Sequence, residues 1–182
     1  VGFSVGGFEE ALLSGMLQKY NLNMSDVDLV NINFSLSPSL IAKKVDAVIG
    51  AFRNFELNQM DIVNHPGRAF YPEEHGVPTY EELIYIANQK NKNNPLFDKF
   101  FSAIQKATLT IINDPVSTWK DFSSYRKGLD DELNKRAYKD TISRFALRPQ
   151  AHDLKTYTNF SKFLEKKGII KQITKVETFA KP

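Results

Sequence analysis

The feature that most narrows the fold is an alternation near the N-terminus, where short β-rich runs are separated by segments of helical period. Val1–Val5 (VGFSV) is strand-like. Gly6-Gly7 breaks it, and Phe8, Leu12, Met16 and Tyr20, with Ala11 and Leu13, then recur on one helical face. Val27–Asn33 (VDLVNIN) reads as a second strand and Val45–Ala51 (VDAVIGA) as a third. Between them Ser37-Pro38 opens a short helix, with Ser37 suited to the N-cap and Pro38 to the first helical position. Strand–helix–strand–helix–strand order predicts an α/β fold with a parallel sheet and right-handed crossovers. A further helix over Phe55–Val63 ends before Pro66-Gly67, and Arg68–Tyr71 could add a strand.

The second half reads differently. Pro72, Gly76 and Pro78 mark a connector, and Glu82–Ala87 (ELIYIA) is strand-like. Asn94-Pro95 then caps a helix whose apolar positions are Phe97, Phe100, Phe101, Ile104, Ala107, Thr108, Ile111 and Ile112, the clearest helical period in the chain. Asp114-Pro115 restarts a helix carrying Val116, Trp119 and Phe122. Leu129–Phe145 and Asp153–Lys167 are two more, the last closed by Gly168. Residues 1–78 thus read as a parallel α/β lobe, and residues 79–182 as one strand and four helices. A single strand leaves backbone groups unpaired. The second half is therefore either a piece lacking its sheet or a helical subdomain packed on the lobe. The chain also opens directly on strand-like residues, with no initiator Met and no signal peptide, which reads as an artificial or processing boundary.

Composition removes several classes. A chain of 182 residues and 20.8 kDa suffices for one domain or two small lobes. With 42% apolar and 25% charged residues, general disorder is excluded. No apolar run nears the ~18 residues of a membrane-spanning helix. The 24 basic and 21 acidic residues are balanced and dispersed, which argues against a nucleic-acid surface. Zero cysteines exclude disulfides, thiolate metal sites and cysteine nucleophiles, and fit an exported chain as well as a cytosolic one.

Two segments could carry chemistry. Ser4-Val5-Gly6-Gly7-Phe8-Glu9-Glu10 is a strand end, a glycine turn and a helix N-terminus, whose exposed N–H groups can bind an anion or a polar ligand atom. No Gly-Lys-Ser/Thr follows, and the Gly-x-Gly-x-x-Gly pattern is absent. Glu9 and Glu10 suit the helix dipole but would repel phosphate, so a neutral polar ligand fits Ser4, Gly6, Gly7 and Phe8 better. The plainer reading is that the glycines only make the turn. Gly50-Ala51-Phe52-Arg53-Asn54-Phe55-Glu56 follows the third strand at the same carboxyl edge, where open α/β sheets bind ligands. Phe52 and Phe55 can stack on a planar ring, Glu56 can share protons with ring nitrogens, and Asn33 and Phe34 end the second strand on that edge. The plainer reading makes the phenylalanines core and Glu56 a solvated helix residue. His65, His75 and His152 are isolated and lack metal-ligand spacing, so no metal site is assigned. Asp130-Asp131-Glu132 reads as a helix start, Lys166-Lys167 with Lys171 as a solvated face, and no catalytic triad is discernible.

Four segments resemble a known family: Val5–Leu13 (VGGFEEALL), Val45–Met60 (VDAVIGAFRNFELNQM), Phe70–Pro78 (FYPEEHGVP) and Arg144–Pro149 (RFALRP). They are similar to the periplasmic substrate-binding proteins of ABC transporters that import thiamine pyrimidine precursors, a family shared with fungal thiamine-pyrimidine synthases. The resemblance covers essentially the whole chain. It implies a type II periplasmic binding protein fold with a ligand cleft between two lobes. Residues 1–78 would be lobe two and residues 79–182 the mostly helical return into lobe one, the N-terminal part of lobe one being absent. It further implies an aminopyrimidine ligand with a hydroxymethyl or formylaminomethyl substituent. Ser4 and the Gly6-Gly7 backbone would hold the substituent, Glu56 would pair with the amino group and ring nitrogen, and Phe8 or Phe52 would stack on the ring. No cofactor is implied. The implied partner is an ABC permease, and the implied location is periplasmic or extracytoplasmic, with a membrane anchor in the missing N-terminus as one option. The competing implication is a pyridoxal-phosphate-dependent pyrimidine synthase. The absence of cysteine counts against it, because those enzymes carry a cysteine-rich motif, and no Schiff-base lysine stands out. A third keeps the transporter class with another aromatic heterocycle, such as a flavin. The apolar faces of the helical half also predict self-association.

Overall fold

Strand β1 (Gly2–Phe3) pairs in parallel with β2 (Val30–Asn31), Gly2 opposite Val30 and Phe3 opposite Asn31. On the other side of β1, Gly2 forms a single parallel bridge to Val48. The ladder is held by Val30 N–H donating to the Val1 carbonyl and Ile32 N–H to that of Phe3, both at 3.0 Å. Opposite, Gly2 N–H donates to Ala47 at 2.8 Å and Ile49 N–H to Gly2 at 2.9 Å. The order across the sheet is therefore second, first, third. The computed structural model that shows this describes residues 1–180.

The mixed α/β character and parallel pairing match expectation, but the strands are far shorter than the β-rich runs, and nearly all the regular structure is helical. The third run keeps only its bridge at Val48. The cause is local: the chain leaves the ladder in left-handed conformations at Asn33 (φ 46°), Phe34 (φ 63°) and Gly50 (φ 90°). Arg68–Tyr71 forms no strand.

Helix α1 (Phe8–Gln18) begins at Gly7, whose N–H donates to the Glu10 carboxylate at 3.4 Å. It buries Ala11, Leu12 and Leu13. Leu12 and Leu13 meet Ile49 and Val77 in the main core, with Phe3, Phe8, Met16 and Tyr80 packed around them. Helix α2 (Leu36–Ile41) starts earlier than expected. Ser35 is its N-cap, Ser37 lies inside and fully buried, and Pro38 is the third helical residue. Leu36 joins Ile32 and Val45 in a second apolar cluster. Helix α3 (Glu56–Ile62) follows.

Helices α4 (Leu96–Asn113), α5 (Pro115–Tyr125), α6 (Glu132–Ile142) and α7 (Leu154–Lys166) complete the chain. Their starts follow from capping: the Asn94, Asp114 and Asp131 side chains accept from Leu96, Ser117 and Asn134 N–H at 3.0, 3.1 and 2.7 Å. Gly168 (φ 72°) closes α7 as expected. Two compact units result. Val1–Tyr80 with Leu154–Val176 forms the first, and Glu81–Asp153 with Glu177–Ala180 the second. In the first unit α7 supplies Phe160 and Phe163 to the main core. In the second, Trp119, Phe122 and Tyr138 cluster with centroids 5.3–5.9 Å apart, and Thr118 Oγ1 hydrogen-bonds Tyr138 OH at 2.7 Å.

The strand expected at Glu82–Ala87 is not formed. A strand needs a neighbour for its backbone groups, and among the described residues none pairs with this segment. Tyr85 instead sets its ring edge-on to Phe100 and Phe101, while Leu83 and Ile86 stay 82% and 88% exposed. Among the described residues no helix is long and apolar enough to cross a membrane.

Candidate functional site

In the order second-first-third the carboxyl ends of β2, β1 and the Val48 segment share one edge, the side on which parallel α/β sheets bind ligands. Three loops meet at this edge. The loop after β1 reaches the loop after β2 through Ser4, whose Oγ accepts from Phe34 N–H at 3.1 Å. It reaches the loop after Val48 through Glu9. Glu9 is 7% exposed, and its Oε2 accepts from Ser4 N–H at 2.7 Å and Val5 N–H at 3.1 Å. Its other oxygen lies against the backbone at Gly50: a Cβ there would stand 2.2 Å from Glu9 Oε1. Glu9 thus joins two strand-end loops from inside. In the sequence alone Glu9 reads only as an acid suited to the helix dipole.

The expected residues divide between this edge and the core. Ser4, Gly6 and Gly7 form the first loop, Gly7 with φ 80°. Phe8 packs against the main core, near-perpendicular to Tyr80 and Phe160 at 5.8 and 6.2 Å, so the ring expected to stack on a ligand is engaged inside this unit. Asn33 is exposed, its N–H donating to Asn31 Oδ1 at 3.0 Å. Phe34 beside it is 73% exposed, and Phe52 is 42% exposed. Glu56 begins α3, and its Oε2 accepts from Phe52 N–H at 2.7 Å, so it shapes the third loop. Phe55 is exposed as well, so the edge offers the Ser4 hydroxyl, the Glu56 carboxylate and three exposed rings, groups that suit a flat polar heterocycle, while the Ser4, Val5, Gly7, Asn33, Phe34 and Phe52 N–H groups are already held within the chain. Two surface hollows lie elsewhere: ≈ 540 Å³ along α1, which includes Gly7 and Lys167, and ≈ 440 Å³ along α4. Lys167 donates to Ser14 Oγ and Gln18 Oε1 at 2.9 and 2.8 Å, and burial, then Lys166, holds its pKa below the usual lysine range. Among the described residues no group of three or more acids or histidines is placed to hold a metal.

The third loop is also tied sideways. Arg53 donates from both terminal nitrogens to Glu73, at 2.8 and 3.1 Å, and lies over the Tyr71 ring at 4.0 Å. The direct hydrogen bond to Arg53 is the main cause that holds the Glu73 carboxyl below the usual range. A depressed folded pKa means the pair's contribution is present at neutral pH and is lost only as pH falls through that lowered value. A carboxyl carbon titration of Glu73 is therefore expected to show its midpoint below the ordinary glutamate range, and to return to it in Arg53→Ala.

With the geometry in place, known proteins supply the family. The NMT1/THI5-like family profile matches residues 1–118. The chain belongs to the NMT1/THI5-like family. A "Putative thiamine biosynthesis protein" of Haemophilus influenzae is 44% identical over 181 residues, which cover 99% of this chain and 58% of that protein. A formylaminopyrimidine-binding protein of Halalkalibacterium halodurans is 27% identical over 121 residues, 63% of this chain and 37% of its own. A 4-amino-5-hydroxymethyl-2-methylpyrimidine phosphate synthase of Schizosaccharomyces pombe is 25% identical over 181 residues, 92% of this chain and 51% of its own. The chain spans about half the length of the curated relatives it matches. The motif resemblance is thereby confirmed. Within this NMT1/THI5-like chain, the glycine-turn motif and the third-loop motif both lie at the carboxyl edge of the sheet.

Proposed function

We propose that this chain supplies one wall of a binding site for an aminopyrimidine related to thiamine. The whole protein would be the substrate-binding component of an ABC importer, with a type II fold and a periplasmic or extracytoplasmic location. The observation that carries the reading is the joining of the strand-end loops, through Ser4 to Phe34 and through Glu9 to Gly50, beneath exposed Phe34 and Phe52. The formylaminopyrimidine-binding relative supports the ligand class. In this reading Ser4 and the Gly6-Gly7 backbone take the ring substituent, Glu56 accepts from the exocyclic amino group, and Phe52 or Phe34 stacks on the ring. Stacking adds about 0.5–1.5 kcal/mol beyond area burial, and each hydrogen bond about 0.5–1.5 kcal/mol. Micromolar affinity takes about 8 kcal/mol. One edge falls short once association entropy is counted. Binding to this chain alone is therefore weak, the opposing wall coming from the further length that its relatives have.

Glu56→Gln tests the ligand class. It is expected to weaken an aminopyrimidine about tenfold, the loss of one charge-assisted hydrogen bond, and to leave an analogue lacking the amino group unchanged. Equal affinity of wild type and variant for the aminopyrimidine would remove Glu56 from the site.

The second reading is a pyrimidine synthase, favoured by the 25% identity to the fission yeast enzyme. The three strand-end loops contain no lysine, so they offer no amine to form a Schiff base with pyridoxal phosphate. Pyridoxal-type absorbance with turnover to the pyrimidine phosphate would favour this reading over transport.

A further inference from the structure

We infer that Arg53 is a positioning residue, which with Glu73 and Tyr71 clamps the third strand-end loop to a platform built on α1. The inference rests on the ligand-site reading above for its effect on affinity, but the clamp itself stands on geometry. The Pro72–Pro78 stretch reads as a connector in the sequence, yet its residues Glu74–Val77 are fixed at four points to α1 and the two residues that follow it. Val77 is buried in the main core beside Leu12 and Leu13. Gly76 (φ 96°) sits so close that a Cβ would meet the Gly15 carbonyl oxygen at 2.9 Å. Lys19 Nζ donates to the Glu74 carbonyl, and Tyr20 OH hydrogen-bonds His75 Nδ1 at 2.7 Å. Phe52 is exposed, and its N–H is held by Glu56 Oε2 within the same loop and helix. Arg53 lies between Phe52 and Phe55 and reaches the platform with a two-point fork and a stacked guanidinium. This geometry suits arginine and not lysine, which is a point charge without a fork.

The pair is about one-third exposed on each side, 35% and 39%, so its share of global stability is small. Its effect is local, on the preorganisation of the ring-bearing loop, and that separates positioning from a merely structural role. The test uses Arg53→Lys, Glu73→Gln and the charge-swapped pair Arg53→Glu with Glu73→Arg. Hydrogen exchange is read at the Phe52, Phe55 and Glu56 amides, all hydrogen-bonded in the loop. Both single variants are expected to exchange about tenfold faster at these three amides, with the thermal midpoint within about 2 °C of wild type. The swapped pair is expected to recover at least part of the protection. Affinity for a formylaminomethyl-aminopyrimidine is expected to fall about fivefold to tenfold in each single variant. Unchanged exchange at the three amides would overturn the clamp, as would a broad rise in exchange through α1 with a large drop in midpoint. Wild-type-like pyrimidine affinity alongside faster loop exchange would overturn its role in the site. If wild-type protein binds no pyrimidine, the ligand reading falls, and the amide exchange alone decides the clamp.

Discussion

Replacing Gly50 with alanine is expected to lower the unfolding midpoint by roughly 10 °C, corresponding to about 3 kcal/mol. Two costs combine. The backbone there has φ 90°, a conformation that side chains resist, and the added Cβ would stand 2.2 Å from Glu9 Oε1. Glu9 cannot simply swing away, because its other oxygen holds the Ser4 and Val5 N–H groups. Gly7→Ala is the internal control. It has φ 80° in the same unit, but nothing lies within 4 Å of a Cβ, so only the backbone term applies, about 1 kcal/mol. Thermal unfolding by circular dichroism measures both. Equal losses would show that the Glu9 contact does not constrain Gly50.

Glu9→Ala is expected to cost about 2–4 kcal/mol, because two partly buried N–H donors lose their acceptor. Glu9→Gln keeps one carbonyl oxygen able to accept from both, and is expected to lose about half as much. The cycle with Gly50 is informative. In a Glu9→Ala background the clash is gone, so Gly50→Ala should cost only its backbone term and the pair should be non-additive by about 1–2 kcal/mol. Strict additivity in urea unfolding would mean that the two loops are not joined through Glu9.

The local parts of this fold are legible in the sequence. Gly7, Asn94, Asp114, Asp131 and Gly168 mark helix boundaries because capping is a short-range matter of one side chain and one N–H. The parallel pairing and the shared edge of the Ser4, Asn33 and Phe52 loops follow from strand–helix alternation, while the strand order does not. The non-local parts are not. Whether Glu82–Ala87 becomes a strand depends on a neighbour its own residues cannot specify, and β-propensity alone left Leu83 and Ile86 in water. Phe8 carries two signals in the sequence, a helical face shared with Leu12 that points to the core and a place beside the glycine turn that points to a ligand. Glu9 carried a weaker signal, an acid placed to fold back on the preceding strand-end N–H groups. Its second contact, to Gly50, lies forty-one positions away and only the folded chain reveals it.

The central claim is that the carboxyl edge of the sheet receives an aminopyrimidine, and amide chemical shifts report on it even when binding is weak. Titrating the chain with a formylaminomethyl-aminopyrimidine is predicted to move the resonances of Ser4–Phe8, Asn33–Ser35 and Gly50–Glu56 together along one binding curve. Shifts confined to the hollow beside Lys167, or no shift in these three loops at saturating ligand, would contradict it.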